Sequence, residues 1–301
     1  MAIDKQALAA GRQFQHTVND ATINAHVNDY EVDMQSDIPY INDGSADHLL
    51  DIYSPADADK TQMLPVVILI HGGGYSSGFK ELDRRLGQLI ATHGFRVVNI
   101  NYSLMPEVGF GQELREIMTV ANWISDHRVQ YGFADQNISI MGDSSAGHLT
   151  LLAAATQNNQ ALQNYFEVTP YAKKFKAYVA ICPATFESIT SSDNEIIAGV
   201  RQVLSDWLSQ EDFVKHALYT NYMADNFPEV MIVTTPSDSI LAEQAIGMHD
   251  FMTANQIKHV YKSYEGVENK IDHVFNVLFP EYEESQRANA DIVAYLKEKN
   301  A

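Results

Sequence analysis

A serine at the apex of a strand-turn-helix pattern is the first place in this chain where chemistry can be read. Ile138-Ser139-Ile140-Met141-Gly142-Asp143 reads as a short buried strand, and Ser144-Ser145-Ala146-Gly147-His148-Leu149 as the helix start that follows it. A sharp turn of this kind, a nucleophile elbow, pushes the serine hydroxyl out of the sheet edge. It also aims the first helical N–H groups at the same point, so nucleophile and charge stabiliser arrive together. Ser144 is the leading nucleophile on this reading; the alternative is that Ser144 or Ser145 simply caps a helix. A second segment bears on the choice. The apolar run Pro65-Val66-Val67-Ile68-Leu69-Ile70 stops abruptly at His71-Gly72-Gly73-Gly74-Tyr75. Three successive glycines cost backbone entropy and add no side chain to a core. A loop that must bring bare N–H groups to about 2.7–3.1 Å from a developing oxyanion does require them.

These two motifs, together with Asn101-Tyr102-Ser103-Leu104-Met105-Pro106-Glu107, resemble those of the hormone-sensitive-lipase-like esterase and acetyl esterase group of α/β-hydrolases. The third is similar to that group's Tyr-Arg-Leu-Ala-Pro-Glu signature, and the three occur in the family's order over roughly residues 45–280. Two positions depart from the pattern. Ala146 stands where the second glycine of G-x-S-x-G would be, which predicts a slightly wider turn. A register shifted by one would make Ser145 the nucleophile and recover Gly147, but would put Asp143 at the first glycine. Ser103 replaces the signature's arginine, which puts local salt-bridging in doubt.

The family order of serine, acid, histidine directs attention downstream. Phe227-Pro228-Glu229-Val230-Met231-Ile232-Val233-Thr234-Thr235 reads as a buried strand with Asp238 just past its end, where open α/β sheets place their sites. Asp238 can orient a histidine, cap the helix predicted over 239–254, or do both. The loop after the strand His259-Val260-Tyr261-Lys262-Ser263-Tyr264 carries Asp272-His273-Val274-Phe275, similar to the family's His-x-Phe ending, which makes His273 the general base. Imidazole, with an ordinary pKa near 6.5, can take the serine proton and return it to the leaving group. A buried carboxylate fixes its tautomer. The resemblance implies that the oxyanion is held by the N–H groups of Gly73, Gly74 and Ser145. Tyr75, Asp143 and Trp207 are candidates for the wall of the substrate pocket. His71 shapes the glycine loop and His148 lies within the elbow helix. His93, His127, His216, His249 and His259 read as scattered surface or core residues. No His/Glu or Cys cluster has metal-ligand spacing, so neither a metal nor a cofactor is expected.

Composition sets the frame. The chain has 301 residues and 46% hydrophobic content, enough for one large α/β domain with a full core and insertions. Thirty-nine acidic against 20 basic side chains give a formal charge of −19, which disfavours nucleic acid and anionic membrane surfaces as partners and makes strongly anionic substrates a poor match. The lone cysteine, Cys182, excludes an intrachain disulfide and reads as a core residue at a strand end. No run of about 18 apolar residues occurs, and a cytoplasmic protein is expected. Its partner is a small ester, with the oligomeric state open.

The elements that must position these residues follow from periodicity. A helix is expected from about Asp4, with Leu8, Ala9 and Phe14 as apolar contacts. Two antiparallel strands, 37–40 and 48–53, flank the turn Asn42-Asp43-Gly44. Strands near 65–70, 96–101, 138–142, 176–182, 229–234 and 259–264 then alternate with helices near 80–93, 111–130, 145–157, 239–254 and 283–298, which argues a mostly parallel sheet covered on both faces. Between Pro183 and Phe227, Ile196, Ile197, Val200, Val203, Leu204, Trp207 and Leu208 recur at helical spacing. An inserted amphipathic helix is expected there, as a cap over the strand ends or packed at the side of the domain; residues 1–35 are expected to complete the cap. The chain is thus expected to be one α/β-hydrolase domain over 1–301 with cap elements at 1–35 and 184–227. The residues themselves imply acyl transfer to water through an acyl-enzyme; the resemblance to the acetyl esterase group implies short-chain esters as substrates, with a best acyl length of two to four carbons or so. An arylformamidase or small peptidase on the same fold, or a binding module without chemistry, are the alternatives.

Overall fold

The computed structural model describes Arg12 and residues 30–301 apart from 60, 186–188, 190–192, 224–225 and 268–269. The helix expected near Asp4 and most of the N-terminal cap segment lie outside the described residues. Eight strands form one sheet: β1 (Val32–Pro39), β2 (Leu49–Pro55), β3 (Leu64–Ile70), β4 (Arg96–Ile100), β5 (Phe133–Asp143), β6 (Tyr178–Ile181), β7 (Val230–Thr234) and β8 (His259–Ser263). Their order across the sheet is β1-β2-β4-β3-β5-β6-β7-β8. β1 and β2 are antiparallel to their neighbours, and β3 to β8 run parallel.

The parallel strands are apolar throughout because both faces are covered. In β3, Val66, Ile68 and Ile70 join one core, while Val67 and Leu69 join the other. Each such side chain contributes roughly 1.5–3 kcal/mol relative to exposure. Helices Arg84–Thr92 and Glu283–Asn300 pack on the second face through Leu86, Ile90, Ile292 and Leu296. Helices Gln112–Asp126, Ser144–Gln157 and Ala242–Ala254 pack on the first through Leu114, Ile117, Leu149, Leu152, Met248 and Met252. The helix Ser144–Gln157 is buried all round, from Ser145 to Gln157, as befits an element wedged between the sheet and the inserted segment.

Three local expectations shift. β5 begins at Phe133, five residues before the apolar alternation starts, because Leu64 N–H reaches Gly132 O and carries the ladder back. The helix expected over 111–130 breaks at His127 and resumes for one turn before left-handed Gly132 ends it. Among its described residues the inserted segment holds the short helices Glu195–Val203, Ser205–Leu208 and Glu211–Ala217, followed by a 3₁₀ turn at Tyr219–Tyr222. Asn194 caps the first of these through the N–H groups of Ile196 and Ile197. The helical stripe was legible; the break at Leu204 was not.

Candidate active site

The sheet delivers four loops to one end. β3 ends at Ile70 and opens into the glycine loop, β5 ends at Asp143 and turns into Ser144, β7 ends at Thr234 before Asp238, and β8 ends at Ser263 before His273. Ser144 sits in the left-handed region, φ 52°, an expensive conformation for a residue with a side chain. The turn is tight. A Cβ on Gly142 would lie 2.6 Å from Ala146 O and 2.9 Å from Ala146 Cβ, and one on Gly147 would lie 2.9 Å from Pro183 Cα. The methyl of Ala146 is thus accommodated, fully buried, by the absence of a side chain at Gly142. Ser144, and not Ser145, is the strained apex residue.

Asp238 and His273 meet as acid and ring. His273 Nδ1 and Asp238 Oδ2 are 2.8 Å apart, with the carboxylate side chain fully buried. Oδ1 of the same carboxylate accepts the N–H groups of Ile240 and Leu241 at 2.9 and 2.8 Å. It therefore orients the ring and closes the turn leading into the helix Ala242–Ala254 at once. Burial pushes the Asp238 carboxyl up, but the His273 contact and those two N–H groups outweigh it and hold the group below its ordinary value. Asp272 turns elsewhere: its oxygens take Ser239 N at 2.7 Å, Ser239 Oγ at 3.1 Å and the backbone N of His273 at 2.7 Å. Cys182 is fully buried at the end of β6, as a core reading requires. Its Sγ forms, with the Asp238 carboxylate and a His273 ring nitrogen, a group of atoms all within 4.8 Å of one another.

The glycine loop is shaped by close approaches. A Cβ on Gly72 would stand 2.6 Å from Asp143 Oδ2 and 3.0 Å from Ser144 Cβ, and one on Gly73 (φ +130°) would stand 2.0 Å from Ser77 O. Gly73 O accepts Ser76 N, Ser77 N and Ser77 Oγ, which folds the loop back on itself. His71 is buried, stacks on Tyr102 at 4.4 Å, and its carbonyl accepts the Tyr102 hydroxyl at 2.8 Å. At its far end the loop is anchored by buried Lys80, whose Nζ meets Asp51 at 2.8 Å and Asp37 at 2.9 Å. The segment that lacks the signature arginine at Ser103 is braced by other cations. Ser103 N and Oγ donate to buried Glu116, which His48 Nε2 also approaches at 3.2 Å. Arg12 donates from Nε to Ser76 O and from Nη2 to Met105 O, each at 2.5 Å, and pairs with Glu107 at 2.9 Å.

A cavity of about 640 Å³ is bordered by Gly72, Gly73, Gly74, Ser144, Ser145 and His273. Its remaining wall is mainly apolar, from Ile189, Ile197, Val200, Leu241, Val274 and Val277 among others. The helix Glu195–Val203 stands directly against the glycine loop, since a Cβ on Gly74 (φ +60°) would lie 2.7 Å from Val200 Cγ2. The pocket candidates fare differently. Asp143 borders the cavity, but its Oδ1 accepts Gly72 N–H at 2.7 Å, so it ties the two loops together. Tyr75 borders the cavity while its ring packs against Phe110 and His148 in the core. Trp207 does not border it; the break at Leu204 turns its ring onto Phe213 and against Gly109. His148 is buried, bonds Ala217 O of the insert at 2.9 Å, and burial pulls its ring down to about 4. His249 and His259, scattered in the sequence reading, pair across 2.8 Å beside the edge strand β8.

The sequence reading missed Gly72 as a contact residue and Asp83 altogether. A signal for Gly72 existed, since it opens the glycine run; Asp83 fell within a segment read only as a helix near 80–93.

Sheet order and the loops at its strand ends are those of the α/β-hydrolase fold. The chain belongs to the BD-FAE family, whose model matches residues 50–251. It is 35% identical over 132 residues to the probable carboxylic ester hydrolase LipM of Mycobacterium tuberculosis, covering 44% of this chain and 30% of that one. It is 32% identical over 133 residues to the esterase LipQ of the same organism, covering 44% and 31%, so these matches span less than a third of either relative's length. Among solved structures, esterase B from Lactobacillus rhamnosis superposes with a TM-score of 0.87 at 24% identity, covering 99% of this chain and 96% of that one.

Proposed function

We propose that the protein is a serine carboxylic-ester hydrolase acting on small, largely neutral esters through an acyl-enzyme. The observation that carries this reading is the 2.8 Å contact between Asp238 Oδ2 and His273 Nδ1, with His273 and the strained Ser144 on the wall of one largely apolar cavity. Asp238 keeps the ring proton on Nδ1, so Nε2 is the nitrogen that takes the Ser144 proton as Oγ attacks the ester carbonyl carbon. The carbonyl oxygen becomes the oxyanion, held by the N–H groups of Gly73, Gly74 and Ser145. As the tetrahedral intermediate collapses, Nε2–H returns the proton to the leaving alcohol. Water then repeats the sequence on the acyl-enzyme, giving the carboxylic acid and free Ser144. Neither Gly73 N–H nor Gly74 N–H donates to another group among the described residues, as donors reserved for a substrate should not.

The names of the relatives support the ester preference: LipM, LipQ, and an acetyl esterase of Salmonella schwarzengrund that is 22% identical over 71% of this chain and 66% of its own length. A solved structure of the Lactobacillus rhamnosis esterase B carries a tributyrin phosphonate inhibitor, the chemistry that a nucleophilic serine invites. The domain reading is a single unit over 1–301 with cap elements at 1–35, most of which lies outside the described residues, and at 184–227. Support for the cap is the position of Ile197, Val200 and Val203 on the cavity wall. No helix among the described residues is long and apolar enough to cross a membrane, and with a single buried cysteine a cytoplasmic location is the reading we adopt. Nucleic acid is not a partner on this reading, given the charge of −19. The test is labelling by a fluorophosphonate probe, expected in the wild type and absent in Ser144→Ala, followed by kcat/KM across p-nitrophenyl esters of graded acyl length. An unlabelled wild type that hydrolyses none of them overturns the proposal.

A further inference from the structure

Asp83 ends the short turn Lys80–Asp83 that follows the glycine loop, and it borders the same cavity as Ser144. It is 2% exposed, and Asp143 is 6% exposed. Among the described residues no hydrogen-bond partner reaches Asp83 Oδ2, and its carboxyl group interacts with that of Asp143, which borders the same cavity. Two carboxylates are acceptors only, and in a dry site they cannot meet as two anions. A hydrogen bond between them requires a proton. Asp143 also accepts Gly72 N–H at 2.7 Å, so the pair lies at the seam between the glycine loop and the elbow.

We propose that Asp83 is a positioning residue of the active site: carrying the one proton of an Asp83–Asp143 acid pair, it donates O–H to Asp143, which in turn holds Gly72 N–H and so fixes the oxyanion loop against Ser144. The chain of contacts is Asp83 O–H to the Asp143 carboxylate, and Gly72 N–H to the same carboxylate. Neither acid touches the reacting atoms in this role. The pair acts through the placement of Gly73 and Gly74, which follow Gly72 directly, and of Ser144, which follows Asp143.

The electrostatics agree. Burial, and then the charge of Asp143, holds Asp83 protonated far above the ordinary carboxylate range. Burial raises Asp143 to about 6, with His273 and the Gly72 N–H pulling the other way. Between these limits the pair holds one proton. From the elements packed around it, the titratable groups that interact with the pair are His273 on the loop after β8, Tyr102 on the loop after β4, and Cys182 at the end of β6. On Asp83's own segment, the Arg84 guanidinium faces Asp51 and Glu81 instead. Loss of the shared proton would leave two unscreened negative charges at the seam and push the loop from the elbow, which predicts an alkaline fall in kcat.

The inference rests on the ester-hydrolase reading for its kinetic arm but not for its spectroscopic one. Asp83→Asn presents an amide N–H to Asp143 and needs no proton; it should keep kcat within about threefold and lose the alkaline fall. Asp83→Leu removes the donor while keeping the branching of the side chain and should lower kcat about 10- to 100-fold with KM within about twofold, a smaller loss than deleting an oxyanion donor outright. Infrared difference spectra of wild type against Asp83→Asn near neutral pH should show the carbonyl-stretch band of a protonated carboxylic acid in the wild type alone, whether or not any ester is hydrolysed. The proposal is overturned by any of three results: Asp83→Leu folded with normal kcat, Asp83→Asn as damaged as Asp83→Leu, or no protonated-acid band. A wild type that shows the band but neither hydrolyses esters nor reacts with fluorophosphonate sinks the ester-hydrolase reading and leaves the acid pair standing.

Discussion

Replacing Asp238 by asparagine tests the acid assignment through a change in tautomer, and the structure specifies which way the amide must face. Asp238 Oδ1 accepts two N–H groups, from Ile240 and Leu241, at 2.9 and 2.8 Å. An asparagine that turned its NH₂ toward them would set donor against donor and leave buried N–H groups unsatisfied, at about 1–3 kcal/mol each. The amide oxygen therefore stays there, and the NH₂ takes the Oδ2 position 2.8 Å from His273 Nδ1. Facing a donor, Nδ1 must become an acceptor, which moves the ring proton to Nε2. A ring protonated at Nε2 has no lone pair to take the Ser144 proton. In the serine-protease case the same tautomer reversal costs about 10⁴ in kcat with geometry intact, which at 1.36 kcal/mol per decade is about 5.4 kcal/mol of transition-state stabilisation. We expect a loss of that order for Asp238→Asn. Asp272→Asn retains an acceptor for Ser239 N–H and should cost about tenfold at most. The assay is kcat on p-nitrophenyl butyrate at a single pH near 8, with thermal melts establishing that each variant is folded. A folded Asp238→Asn enzyme within tenfold of the wild type, or collapse in Asp272→Asn instead, would refute the assignment and move the acid to Asp272.

Ser144→Ala should lower kcat by roughly five to six orders of magnitude, whereas Ser145→Ala, which keeps its backbone N–H and loses only a 3.4 Å contact from Tyr75 N, should cost far less; the reverse ranking would shift the elbow register by one. Gly74→Ala should lose about 10² in kcat, comparable to one oxyanion donor, because its Cβ meets Val200 Cγ2 at 2.7 Å. Adding Val200→Ala should restore part of that loss, and a strictly additive double-mutant cycle would show that the helix Glu195–Val203 does not press on the loop. Glu113 is fully buried, and burial raises it from 4.5 to about 8. The unfolded chain therefore ionises first, so stability is full below about pH 4.5 and is lost as pH rises towards 8, by on the order of 4 kcal/mol. Glu113→Gln should gain in Tm over the wild type at pH 8.5 but not at pH 4.5, and a pH-independent difference would count against this. Among p-nitrophenyl esters, kcat/KM should peak at two to four acyl carbons or so, each fitting methylene adding at most about 0.8 kcal/mol; a maximum at ten or more would mean the cavity opens into a long groove.

What was legible in the chain follows the length scale of the physics. The run Val66–Ile70 and the glycines after it announce a buried parallel strand ending in a close approach, because both facts are written in consecutive residues. The two contacts of Asp238, with a helix start and with His273, were legible because a strand end and a helix start flank it, and its two oxygens divide them. Contacts between separate loops were not legible. Nothing near Asp83 in sequence shows that Asp143, 60 positions away, will share its environment. Asp143 itself reads as a pocket residue until the Gly72 N–H is seen to occupy its oxygen. Trp207 failed for a different reason. Its place in the helical stripe is real, but the helix ends at Val203, and after the break at Leu204 the ring points to Phe213. Periodicity predicts a face only while the helix continues.

The distribution of backbone strain argues that the loops are set by the fold and not by substrate. Tyr75, Ser144, Cys182 and Val274 all adopt left-handed conformations, with φ of 64°, 52°, 42° and 49°, each costing on the order of 1–3 kcal/mol. Tyr75, Ser144 and Val274 border the cavity, and Cys182 lies against Asp238 and His273. Each is pinned by a neighbour that does not depend on a ligand. Tyr75 O accepts Met105 N, Ser144 O accepts Ala184 N, Cys182 N donates to Val233 O, and Val274 O accepts Val277 N and Leu278 N. The side chains add to this, with Tyr75 and Cys182 fully buried and Val274 nearly so. On the ester-hydrolase reading, a loop whose awkward backbone is held by the core needs no reorganisation as charge develops on the ester oxygen, which is the condition under which fixed N–H donors are worth most. Asp83 and Asp143 fit the same logic. Burying two carboxyl groups at the seam is costly, and the shared proton that burial favours makes the position of Gly72, and with it the donors of Gly73 and Gly74, a property of the folded chain.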